Sequence, residues 1–80
     1  MEPIIQCNGF TLQVVKLPKG FIVNWVLRAT MQNQDRYRAY YYKRDAIANI
    51  EEWRKYNRFG FEAEFFGRHN WQRLEDLVRG

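Results

Sequence analysis

Arg36, Tyr37, Arg38, Ala39, Tyr40, Tyr41, Tyr42, Lys43 and Arg44 follow one another with no acid and no glycine among them. Guanidinium groups neutralise phosphates and stack on flat rings, and phenol rings offer their faces to nucleobases. Tyr and Arg are equally the residue types that anchor protein–protein contacts. Tyrosine favours strands, and alternate side chains of a strand share a face. One face would then carry Arg36, Arg38, Tyr40, Tyr42 and Arg44, a ladder turned outward toward phosphates, bases or an acidic protein surface. The other would carry Tyr37, Ala39, Tyr41 and Lys43 and help close a core.

Other side chains capable of chemistry are sparse. Glu62 and Glu64 alternate along one short stretch, where paired carboxylates could hold a divalent cation. A metal centre needs more oxygen ligands, and no other acidic cluster points to the same place. Cross-strand pairing with Arg36, Arg38 or Lys43 explains the two carboxylates more simply. His69 is the single histidine and Cys7 the single cysteine. A general base needs a nucleophile or a polarised water, and Cys7 lies far away in the chain, in an apolar hairpin. A lone cysteine also leaves no internal disulfide and no cysteine metal cluster. The chain has no Walker loop, no G-x-G-x-x-G segment and no serine. It reads as a protein without catalytic machinery, metal or cofactor.

The elements that must carry these residues are legible from periodicity. Ile4-Ile5-Gln6-Cys7, Asn8-Gly9 and residues 10–16 predict a hairpin, because Asn-Gly supplies the positive-φ pair of a type I′ turn. Leu17-Pro18-Lys19-Gly20 predicts a second turn. Residues 21–29 predict a strand with Phe21, Val23, Trp25, Leu27 and Ala29 on one buried face. Ile22 and Val26 lie on its other face beside Asn24 and Arg28, so that side is partly covered too. Residues 31–35 read as a polar connector into the Arg/Tyr strand.

A helix follows, with Asp45 placed to cap its N-terminus and Ala46, Ile47, Ile50 and Trp53 on one stripe. Arg54, Lys55 and Arg58 suit its negative end, and Gly60 ends it. Phe61, Ala63 and Phe65 alternate inward against Glu62 and Glu64 in a last strand. Asn70 can cap a short final helix with Trp71, Leu74, Leu77 and Val78 on one side. Trp25, Trp53 and Trp71 sit at core positions, whereas Phe59 in a loop and Phe66 on an outward face leave one ring exposed as a contact.

The expected architecture is a single small α+β domain over residues 1–80. An antiparallel β-meander of three to four strands is followed by helix, short strand and helix, with the helices packed on one sheet face. The outward Arg and Tyr side chains would collect on the opposite face. In order of elements only, a meander followed by a helix is similar to the small sheet-type DNA readers of integrases and plant transcription factors, whose motifs are not found here.

Bulk composition narrows the classes. Eighty residues with 46% hydrophobic and 18% aromatic content suffice for one compact core and exclude a disordered chain. Apolar runs extend only a few residues, too short to span a membrane. Met1-Glu2-Pro3-Ile4 lacks the features of a signal peptide, so a cytoplasmic location is expected. Thirteen Lys and Arg against nine Asp and Glu give a net charge of +4, which favours anionic partners. Only Lys16, Lys19 and Arg28 among the cations precede Arg36.

These features lead first to a nucleic-acid-binding module. Its face would hold Arg28, Arg36, Arg38, Tyr40, Tyr42, Arg44, Arg54, Lys55 and Arg58, with Phe66 as an exposed aromatic contact. The alternative is a protein-binding inhibitor or adaptor, which an 80-residue chain opening on Met1 resembles in size among phage and mobile-element proteins. Such a protein acts by occupying a surface of a host complex and needs no catalytic group. A third reading is a small subunit of a larger assembly. A monomer or small homo-oligomer is expected, with Ile4 to Cys7 as an edge able to pair with a second copy.

Overall fold

The computed structural model describes residues 4–7, 9–56 and 71–79. Within them the chain forms four strands, β1 (Ile4–Cys7), β2 (Phe10–Lys16), β3 (Trp25–Met31) and β4 (Gln34–Tyr40), then one helix, α1 (Lys43–Tyr56), and a 3-10 turn at Leu74–Leu77. The strands pair antiparallel in sequence order, so the described part is an α+β fold built on a meander. Among the described residues no helix is long and apolar enough to cross a membrane.

Two tight turns set the register. Cys7 pairs with Phe10 across a two-residue turn in which Gly9 has φ +69°, a value that costs glycine nothing. Met31 pairs directly with Gln34, and the turn between them holds Gln32 at φ 53° and Asn33 at φ 62°. Consecutive left-handed residues match the twist of the flanking strands. The polar connector expected at 31–35 is therefore a hairpin, with pairing running up to its two-residue tip.

The register assigns each face. Leu12, Ala29 and Arg36 stand opposite one another across β2, β3 and β4, as do Val14, Leu27 and Arg38, and residues paired this way share a face. Ala46, Ile50 and Trp53 of α1 join Phe10, Leu12, Val14, Leu27, Ala29 and Met31 in one buried cluster on that side. Each fully buried aliphatic side chain contributes roughly 1.5–3 kcal/mol by leaving water. The helix starts earlier than expected: the Tyr42 carbonyl accepts from the N–H groups of Asp45 (3.1 Å) and Ala46 (3.4 Å). Asp45 thus lies within the first turn rather than at the cap, where its charge still favours the helix's positive end.

Residues 21–29 do not form one strand. β3 begins at Trp25, and the Leu17 N–H donates to the Asn24 carbonyl at 2.7 Å, closing a loop that turns at Gly20 (φ +105°). Trp25, Leu27 and Ala29 face α1, but Phe21 and Val23 pack on the other side with Leu17, Val26, Tyr37 and Leu77. The apolar face read as continuous is split between two cores because the loop breaks the alternation before Trp25.

The C-terminal segment wraps the edge of the sheet. Trp71 is buried in the helix-side core. Gln72 then pairs with Tyr37 on the outer edge of β4, and Leu77 enters the second core. Leu77 accepts at its carbonyl from the Ile22 N–H and Arg79 donates to the Gly20 carbonyl, each at 2.8 Å. The expected final helix with Trp71, Leu74, Leu77 and Val78 on one side is not formed. Extended backbone at Arg73 and Val78 brackets a single 3-10 turn, and Leu74 and Val78 stay exposed. Trp71 and Leu77 face opposite sides because the segment must pass around β4. The strand expected at 61–66, the cap at Asn70, and Glu62, Glu64 and His69 lie outside the described residues, as does the Cys7 side chain.

Candidate functional site

The Arg/Tyr segment does not make one outward ladder. Cross-strand pairing puts Arg36, Arg38 and Tyr40 on the same sheet face as α1, not on the opposite face. β4 then stops at Tyr40, and Lys43 and Arg44 belong to the first turn of α1, so alternation ends where the ladder would continue. Of the four residues assigned to a core, Tyr37 is buried and Ala39 packs against the second cluster. Tyr41, in contrast, is 81% exposed. Burial raises the Tyr37 ionisation above its usual value, and the Asp35 carboxylate adds to this while Arg28 opposes it.

The remaining cations scatter. Arg28 lies on the face away from α1 and donates to Gln13 Oε1 at 3.0 Å. Arg36 donates to the Asp35 carbonyl (2.9 Å) and to Gln34 Oε1 (3.1 Å), within its own strand. Arg54 pairs with Glu51 at 3.2 Å and donates to the Ile4 carbonyl at 3.0 Å, tying the helix to the edge of β1. Lys55 is exposed beside it at the helix end. Arg58 and Phe66 lie outside the described residues.

What the fold does bring together is a corner where β4 turns into α1. Trp25 pairs across the sheet with Tyr40. Lys43 Nζ lies 5.0 Å from the centre of the Trp25 ring, and the Arg38 guanidinium 5.4 Å from that of Trp71. The Arg44 guanidinium stands 4.7 Å from the centre of Tyr42. These separations lie within the range of cation–π attraction. Tyr42 is 58% exposed and the Arg44 side chain 80%. Tyr40 packs against the helix-side core, and burial raises its ionisation, with Arg38 opposing and Asp45 and Glu52 adding.

Tyr41, Lys43, Trp25 and Trp71 are members of this corner that sequence reasoning assigned to the core. One signal pointed the other way: the stripe Ala46, Ile50, Trp53, extended back one turn, reaches Lys43 and leaves no room for a strand through Tyr42. A shallow cleft beside the start of β4 is lined by Gln34, Asp35, Arg36, Tyr37, Arg73 and Glu75, among others. Its acids offset its cations, so it presents no field of one sign. Cations and rings make the corner suited to phosphates and flat π-systems. No protein-family model, curated protein or solved structure matches this chain.

Proposed function

We propose that this chain is a non-enzymatic module that binds nucleic acid through the β4–α1 corner. The observation that carries the reading is the exposure of two consecutive tyrosines, Tyr41 and Tyr42, directly before Lys43 and Arg44. Neither ring is needed by the cores described above, and both offer faces on which bases stack. Lys43 and Arg44 occupy the first turn of α1, where the helix dipole disfavours cations. A polyanion over the corner offsets that repulsion. Arg38 extends the positive strip along β4. Phosphate contacts of this kind release counterions and make affinity fall with salt.

Fluorescence anisotropy with labelled oligonucleotides at about 50 and about 200 mM salt tests the reading, because that interval spans a large change for phosphate contacts. Binding that weakens with salt and with the Arg38→Ala/Arg44→Ala double variant is expected. Absence of binding at the lower salt would refute it. A contact with a protein surface is the second reading, favoured by Ile22 and Val78, which stay about half exposed beside the Phe21–Val78 pairing.

A further inference from the structure

We infer that the corner takes single-stranded DNA, with unpaired bases stacked on Tyr41 and Tyr42; this rests on the nucleic-acid reading above. A duplex is read by an element that enters a groove, and the candidates for that role are poor. The exposed side of α1 carries Glu51 and Glu52, and Arg54 there is already engaged by Glu51 and the Ile4 carbonyl. Acids on that side would meet phosphates of the groove walls. The sheet face toward α1 is filled by the helix-side core. On the other face, Leu77, Leu17 and Val23 cover one half, and Asp35 stands exposed in the rest, accepting from Thr30.

The corner has a different geometry. Tyr41 and Tyr42 leave the strand before the helix begins, so their rings project from the bend instead of packing across neighbouring strands. Base faces are hidden inside a duplex except at its ends, whereas an unpaired strand presents every one of them. Arg44, stacked on Tyr42, adds a planar cation that can back a base or meet the adjoining phosphate. Selection of RNA rests on contacts to the 2′-hydroxyl. The Asp45 carboxylate, an acceptor in the first helix turn, faces Arg44 at 4.0 Å, and cations cannot accept from a hydroxyl. The corner therefore has every contact that DNA needs and no carboxylate open to the ribose.

The test is anisotropy with a single-stranded DNA of about 12 nucleotides, within the usual site size of small modules, beside the same sequence as duplex DNA and as single-stranded RNA. Single-stranded DNA is expected to bind best. Tyr41→Ala and Tyr42→Ala should each weaken it about 5-fold to 150-fold, the loss expected for one stacked base, while Tyr41→Phe and Tyr42→Phe retain it. Unchanged circular dichroism and melting of the alanine variants show that the fold is intact. Equal or tighter duplex binding, or indifference to both alanines, overturns the single-strand assignment and leaves the nucleic-acid reading standing. Equal or tighter RNA binding overturns the choice of DNA. No binding to any of the three overturns the nucleic-acid reading itself.

Discussion

The guanidinium of Arg38, in β4, covers the buried ring of Trp71, in the C-terminal segment, at 5.4 Å from its centre. Lys43 covers Trp25 in the same manner. Two tryptophans thus lie under cations of the proposed surface, and indole emission is sensitive to nearby charge. An oligonucleotide that draws Arg38 and Lys43 toward its phosphates is expected to change tryptophan emission along the same curve as anisotropy. The Arg38→Ala variant should show a smaller response. Emission unchanged while anisotropy reports binding would move the contact away from this corner.

The second core depends on a short segment. Leu77 is fully buried against Leu17, Val23, Val26 and Tyr37, whereas Leu74, three residues earlier in the same 3-10 turn, is 37% exposed. Leu77→Ala is expected to cost about 2–5 kcal/mol, a large share of the roughly 4–12 kcal/mol available to a domain of this length. Leu74→Ala should change stability by no more than about 0.5 kcal/mol. Urea unfolding of both variants decides it. Equal small losses would mean that the C-terminal segment does not hold the second core.

Local signals were legible in the sequence wherever one element obeyed one period. The Asn8-Gly9 signal matched the pairing of Cys7 with Phe10, and the stripe Ala46, Ile50, Trp53 matched the buried residues of α1. Errors arose where the period changed inside an apolar or aromatic run. Phe21, Val23 and Trp25 alternate in sequence, yet the loop closed by Leu17 and Asn24 sends the first two to another core. Tyr40, Tyr41 and Tyr42 are chemically uniform, so nothing in composition marks the strand's end between the first and second. The candidate site suffered from both effects: its residue types were legible, but their faces depend on register with β3 and on where α1 begins. The role of Trp71 was out of reach, because a contact with Arg38 thirty-three positions earlier leaves no local trace.

Gln32 and Asn33 supply a third test. Both hold positive φ in the β3–β4 turn, a conformation that costs a residue with a Cβ roughly 1–2 kcal/mol, less for Asn. Gln32→Asn combined with Asn33→Gly installs the pair that favours this turn. Stability should rise by about 1 kcal/mol, which lifts the melting temperature by roughly 4–8 °C in a domain of this size. Asn33→Val, a β-branched residue in the same conformation, should lower it. Calorimetry on the two variants reads both directions, and a fall with Asn-Gly would show that the turn is not of this type.

Alkaline pH offers a test of the aromatic packing. Tyr37 and Tyr40 both have ionisation raised above 10.0, first by burial, with Asp35 adding at Tyr37 and Asp45 and Glu52 adding at Tyr40. In the unfolded chain each phenol titrates near 10.0, so above that pH the unfolded state loses its protons first. The native state then binds more protons than the unfolded one, and unfolding free energy falls as pH rises. The contribution is complete below the unfolded value and is lost as pH climbs through the raised native values. Urea midpoints measured between about pH 8 and about pH 11, bracketing the tyrosine range, should fall more steeply for the native sequence than for Tyr37→Phe or Tyr40→Phe. The lysines titrate alike in all three proteins, so the difference in slope isolates the phenols. Parallel curves would mean that neither ring is buried in the folded chain, and with that the register of β4 against β3 would fail.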